Sequence, residues 1–167
     1  MTGEARTNLD ALELLMQDHR ELESLFSEFD HLEKTGKDTA GVIERACAEL
    51  KIHDALENEL FYPAVSDAAG EEEIEALLDD AEDAHDKALD RIEQVVEFDT
   101  DAQARNAHFK VLADEMKEHI LQEEAELFAK AKKIKRLDLD LLGTRMKVRR
   151  DELMQGGGLA QASEAGA

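Results

Sequence analysis

The chain is short of nearly everything that breaks or cross-links a fold. Its 167 residues include one proline, one cysteine, one tyrosine and no tryptophan. The lone Cys47 excludes an intramolecular disulfide and gives no sign of an oxidising compartment. With Pro63 as its single proline, the chain leaves long helices almost uninterrupted. Positive charge is scarce as well. Twenty Lys and Arg face 41 Asp and Glu, for a net charge of −21, so the surface repels nucleic acid and anionic membrane. The same charge gathers cations, but without specificity. No apolar run approaches the roughly 18 residues of a membrane span. The opening "MTGEARTNLDALELL" has an early acid and no long apolar core, which argues against a secretory signal and makes the cytoplasm the expected location.

What is present is charge laid over helical periodicity. Hydrophobic residues make up 43 % and charged ones 37 %, the profile of a charge-coated helical protein large enough for one domain. Helix one is expected from an N-cap at Thr7 or Asn8 to about Lys34, with Leu12, Leu15, Met16, His19, Leu22, Phe26 and Phe29 facing inward. "TGKDT" (35–39) reads as a stop and a new cap. Helix two should run from about Ala40 to Phe61 or a little beyond, with Pro63 disturbing its last turn and "SDAAG" (66–70) as the next break. Its stripe is Ala46, Leu50, His53, Glu57, Leu60 and Ala64. Helix three presents Ile74, Leu78, Ala81, His85, Ala88, Ile92 and Val95. After "DTDA" (99–102), helix four presents Leu112, Met116, His119, Glu123 and Leu127.

This predicts an all-α fold, an up-down-up-down antiparallel four-helix bundle over residues 8–135. A short helical extension over 136–155 follows, capped by Asp138, with Leu139, Leu142, Met146 and Leu153 on one side. Residues 156–167 read as a flexible low-complexity tail. Residues 130–167 carry nine of the Lys and Arg against five acids. "KAKKIKR" suits a helix C-terminus, and the basic segment is also a candidate surface for an acidic protein partner.

His53 and Glu57 are four apart and both lie in the stripe meant for the core, where an uncompensated carboxylate costs roughly several kcal/mol. His119 and Glu123 repeat the pattern 66 residues later, and His85 follows His19 by the same 66. The midpoints between successive histidines fall at Gly36, Ala69 and Ala102, all in or beside the connections. Residues equidistant from a turn end at one height in an antiparallel bundle, so all four histidines should share a layer. Two glutamates bridging two metal ions, each ion also taking two histidines, would compensate both carboxylates. Nitrogen and carboxylate donors suit iron, manganese or zinc. The candidate metal ligands are His19, His53, Glu57, His85, His119 and Glu123.

These motifs, "DHRELESLF", "HDALENELFYP", "DAHDKAL" and "HILQEEAELF", resemble the hemerythrin-like HHE cation-binding domains over about residues 8–135. The resemblance implies a non-haem di-iron centre, two ions per chain with an oxo or hydroxo bridge, in a four-helix bundle. It implies a role in binding O₂, sensing oxygen or iron, handling peroxide or responding to NO. Oxygen-carrying members have a second histidine on helix three and an aspartate bridge. Here the positions four away from His85 are Ala81 and Leu89, and Glu123 takes the aspartate's place. One iron therefore lacks a histidine, which weighs toward small-molecule reactivity or sensing over reversible O₂ carriage.

Other residues read more plainly. Glu23 forms a third His-x-x-x-Glu with His19 but falls outside the stripe and belongs to the surface. Tyr62 should point outward on a regular helix, although Pro63 could turn it into an extra ligand. His108 fits a rim position, His31 a helix C-terminus, and Cys47, Met16 and Met116 packing positions. Four functions follow: a di-iron protein acting on O₂, H₂O₂ or NO in sensing or oxidative and nitrosative stress defence; a catalase- or peroxidase-like enzyme; an iron-homeostasis protein for storage, sensing or delivery; or a redox-responsive interaction module.

Overall fold

The computed structural model describes residues 8–156, and those residues are all-helical, without strands. Helix α1 spans Ala11–Lys34. Helix α2 comprises Ala40–Leu56, a π-helical segment Glu57–Phe61 and a final stretch Tyr62–Ala69. Helix α3 is Glu72–Glu97. Helix α4 comprises Ala102–Gln122, a π-helical segment Glu123–Phe128 and Ala129–Ala131. Helix α5 is Leu139–Gln155. The first four form the bundle; α5 packs beside α1 and α2. The tail expected over 156–167 lies outside the described residues, apart from Gly156, which closes α5. No helix among the described residues is long and apolar enough to cross a membrane.

Each helix starts and stops for a local reason. The N-cap of α1 is Asp10, which accepts the Glu13 N–H at 2.8 Å, and not Thr7 or Asn8. A carboxylate there satisfies an otherwise unpaired backbone donor and meets the positive end of the helix dipole. Asp101 and Asp138 do the same for α4 and α5. Gly36 and Gly70 adopt positive φ (67° and 61°), a conformation other residues enter at a cost, and so end α1 and α2. Helix α2 continues past Phe61 to Ala69, within the expected break at 66–70, because Pro63 falls in the first turn after the π segment, where a missing N–H costs little.

Two apolar clusters fill the bundle on either side of the histidine layer. One gathers Leu15, Leu56, Phe61, Val65, Leu127 and Phe128. The other is built on Phe26, Phe29, Phe109, Leu112 and Met116. Each fully buried large side chain contributes roughly 1.5–3 kcal/mol, so the apolar halves supply the stability that a polar middle layer does not. All seven predicted inward residues of α3 are buried. Met16 departs from its predicted core position and is 42 % exposed; Ala11, Leu14 and Leu25 fill the α1 face instead.

Candidate metal centre

The two π-helical segments open on Glu57 and Glu123, the glutamates of the two His-x-x-x-Glu pairs. In α2 the Tyr62 N–H bonds to the Glu57 carbonyl, five residues back. The extra residue in that turn shifts the inward stripe by one position, about 100° of helix rotation. Phe61 and Val65 are therefore buried where Leu60 and Ala64 were expected, and Tyr62 turns inward to 2 % exposure. The outward position expected of Tyr62 on a regular helix is thus corrected, because the helix is not regular there.

The structure brings the six candidate residues together as two overlapping groups. His19, His53, Glu57 and Glu123 form the first; Glu57, His85, His119 and Glu123 form the second. Within each group, one ligand atom from every residue lies within 4.8 Å of the others, and both glutamates serve both groups. All six are buried. The His19 and His53 ring centres are 4.9 Å apart, and those of His85 and His119 are 5.1 Å apart. His19 Nε2 lies 3.3 Å and His119 Nε2 3.4 Å from opposite oxygens of Glu123. Glu57 Oε1 faces His53 Nε2 in close contact and His85 Nε2 at 3.4 Å.

Those contacts are ion-pair approaches, and they leave the site's polar atoms unsatisfied. His19 Nε2, His53 Nε2, His119 Nε2, both Glu57 oxygens and Glu123 Oε1 are buried with no hydrogen-bond partner. Folded proteins rarely tolerate such a cluster unless something else binds it. Six lone-pair donors facing one space suit cations.

Behind the histidines stands an outer set of carboxylates that the sequence reading did not single out. Asp18 lies 3.1 Å from His53 Nδ1, Asp54 2.6 Å from His85 Nδ1, and Glu124 2.8 Å from His19 Nδ1. Each fixes the ring so that Nε2 points inward, the arrangement that orients and strengthens imidazole ligands. These acids are held in turn: Asp18 by Arg150 of α5, Glu124 by Arg20, and Asp54 by Asn58 at 2.7 Å. Their one sequence signal is adjacency, since each stands beside a candidate ligand. Tyr62 completes the layer, donating its hydroxyl to Glu123 Oε2 at 2.6 Å and lying 3.2 Å from His85 Nε2.

Protonation follows from this arrangement. Burial opposes a charge on His53, but the Glu57 carboxylate and the Asp18 hydrogen bond outweigh it and hold its pKa well above the usual imidazole value. Burial likewise opposes charge on His85, yet the hydrogen bond to Asp54 and the nearby Glu57 carboxylate raise it to about 9. Burial pushes Glu57 upward, and the two imidazoliums reverse that, leaving its pKa well below the carboxylate norm. Burial, then the charges of Glu57 and Glu123, drive Tyr62 well above 10, so its phenol stays protonated.

The remaining candidates lie outside the layer. Glu23 pairs with Arg20 at 3.3 Å on the surface. His108 stacks on Phe98 at the rim with ring centres 4.8 Å apart, and His31 is exposed at the α1 C-terminus. Cys47 is packed in the apolar cluster. Met116 is in the core.

A four-helix bundle whose core gathers buried histidines and glutamates around unsatisfied donor atoms defines a metal-binding helical bundle. Residues 10–131 match the family model of the hemerythrin HHE cation binding domain, and the chain belongs to that family. No curated protein and no solved structure is significantly similar to the chain. Helix α5 lies beyond the matched residues.

Proposed function

We propose that the chain is a non-haem di-iron protein that binds or reacts with a small oxidant, O₂, H₂O₂ or NO, in sensing or in oxidative and nitrosative stress defence. One observation carries the reading: two groups of buried donors share Glu57 and Glu123. His19 and His53 would hold one ion, His85 and His119 the other, with both glutamates between them. Imidazole and carboxylate donors suit iron, with manganese and zinc as competitors. When bound, such a pair supplies redox electrons and a Lewis-acidic face.

The chain's own residues prepare that chemistry. Asp18, Asp54 and Glu124 hold three rings in place. The Tyr62 hydroxyl offers a proton donor beside the second group. The apolar clusters above and below the layer shield it from water in those two directions. Ala81, in place of a further histidine, borders a cleft that reaches His119 and Glu123, whereas Leu89 packs into the apolar cluster. The second group therefore has room for an exogenous ligand.

Elemental analysis after iron-replete expression should find about two iron ions per chain, one for each donor group. Azide added to the diferric protein should produce a new visible charge-transfer band, and Ala81→His should weaken that response. Absence of any transition metal after reconstitution would overturn the reading. Peroxide turnover per iron pair then separates an enzyme of catalase or peroxidase type from a sensor.

A further inference from the structure

The outer carboxylates follow a rule with one exception. A residue beside a candidate ligand on one helix buttresses the histidine of another: Asp18 serves His53, Asp54 serves His85, and Glu124 serves His19. His119 Nδ1 has no such partner among the described residues. The internal repeat says where the missing acid belongs. Moved along the chain by 66 residues, the pair Asp18–His53 becomes Ala84–His119.

Ala84 lies where that correspondence requires. It lines, together with Ala81, His119 and Glu123, a cleft of about 430 Å³ between α3 and α4. In the first half of the bundle the equivalent position is Asp18, which is buried and paired with Arg150 of α5. In the second half a methyl group stands there. His119 and Glu123, each more than nine-tenths buried, line this opening, and His119 Nε2 and Glu123 Oε1 have no hydrogen-bond partner. Asp80, Asp83 and Glu118 line the cleft with a single Lys87, giving a rim suited to a hydrated divalent cation.

We infer that the α3–α4 cleft is the port for metal exchange, that the second group is the exchangeable half of the centre, and that Ala84 sets this lability by leaving His119 without an orienting carboxylate. The inference rests on the two-metal reading above. Losing an outer partner of a metal-bound histidine costs roughly 10- to 100-fold in metal affinity, so the two positions should differ by about that factor.

The test loads the full chain anaerobically with ferrous iron and follows its release to ferrozine. Wild type should release two equal portions, one fast and one slow. Ala84→Asp supplies the missing acceptor in an open, partly exposed position, and should slow the fast portion roughly 10- to 100-fold while leaving the slow one unchanged. Asp18→Asn should accelerate the slow portion. In the metal-free Ala84→Asp protein, the His119 Nδ1–H resonance should move downfield as a new hydrogen bond forms, a readout independent of iron. Ala84→Leu narrows the cleft but offers no acceptor. Equal slowing by Ala84→Leu would overturn the orienting role, and so would unchanged kinetics in a folded Ala84→Asp protein. If no iron is released from any variant because none was bound, the two-metal reading itself has failed. Two bound ions leaving in one common phase would overturn only the inference about Ala84 and the port.

Discussion

Glu57 meets His53 and His85 as charged imidazoles, so the chelator-stripped protein compensates its buried carboxylate with protons. A metal ion needs the same Nε2 atoms deprotonated. Metal uptake near neutral pH should therefore expel about two protons per chain, measurable with an indicator dye in weak buffer. The sign follows from the raised values. Affinity should climb as pH rises toward about 9, where His85 gives up its proton unaided, and proton release should shrink over the same range. In stripped protein, the stabilisation from charged His85 is complete below its unfolded value of roughly 6.5 and is lost as pH passes about 9. Release of no protons at pH 7 would show that the histidines already stand neutral. Cys47 is the quieter case. Burial lifts its thiol to about 11, against a smaller opposing pull from Lys51, so iodoacetamide at pH 8 should label folded protein at least roughly 100-fold more slowly than urea-unfolded protein. At this scale the sequence was legible where spacing carries meaning: four histidines and two glutamates fall in the core stripes and converge. Asp18, Asp54 and Glu124 were not, because among 41 acids a carboxylate beside a ligand looks like any other charge on a solvated face.

The helices were legible because their apolar stripes are regular, and the reading slipped where the helix does. All seven inward positions of α3 hold, because α3 contains no π segment. In α2 the stripe holds through Glu57 and then moves one residue on, to Phe61 and Val65. A fixed 3.6-residue period cannot register one added residue, so on that period alone Tyr62 points outward. Pro63 is the available signal: it allows for a turned Tyr62, and it marks where regular helix resumes after the wide turn. Helix α5 shows a different dependence, on close approach. A Cβ at Gly143 would lie 2.5 Å from the Leu9 carbonyl oxygen and 2.8 Å from the Ala11 nitrogen. Those are backbone atoms at the start of α1, with no flexible side chain to give way. Gly143→Ala should therefore lift α5 from α1 and cost about 1–3 kcal/mol, the usual penalty for overpacking. Chemical denaturation should show a lower midpoint. An unchanged midpoint would mean that α5 shifts without cost. The same helix carries Arg149, paired with Glu59 in the π segment at 2.8 Å, and Arg150, paired with Asp18. Displacing it should loosen the support of His53, so the variant's iron content should fall as well.

The whole molecule is two apolar clusters joined through a polar layer, and the net charge of −21 adds repulsion among its helices. The layer is the weak part of the fold until something cationic fills it, since its buried donors lack hydrogen bonds. Metal that binds the folded state alone stabilises it by mass action, by about 2.7 kcal/mol for one site at a free concentration 100-fold above Kd. Stripped protein should thus melt well below metal-loaded protein. Glu57→Leu separates the two roles of the carboxylate. Glu57 belongs to both donor groups and on the two-metal proposal would serve both ions, so its loss should abolish the metal-dependent rise in melting temperature. In the stripped protein the same change replaces a buried charge that has no hydrogen-bond partner with an apolar side chain of comparable size. His53 and His85 can then shed their protons, because the carboxylate that kept them charged is gone. Replacing a buried ion pair by apolar groups is often neutral or stabilising, in contrast to leaving a charge stranded. The variant should therefore melt at or above stripped wild type, below loaded wild type, and at the same temperature with or without iron. Differential scanning calorimetry of the four samples decides it. A Glu57→Leu protein melting below stripped wild type would mean that the ion pair itself holds the bundle together, with metal a secondary occupant of a layer built for structure.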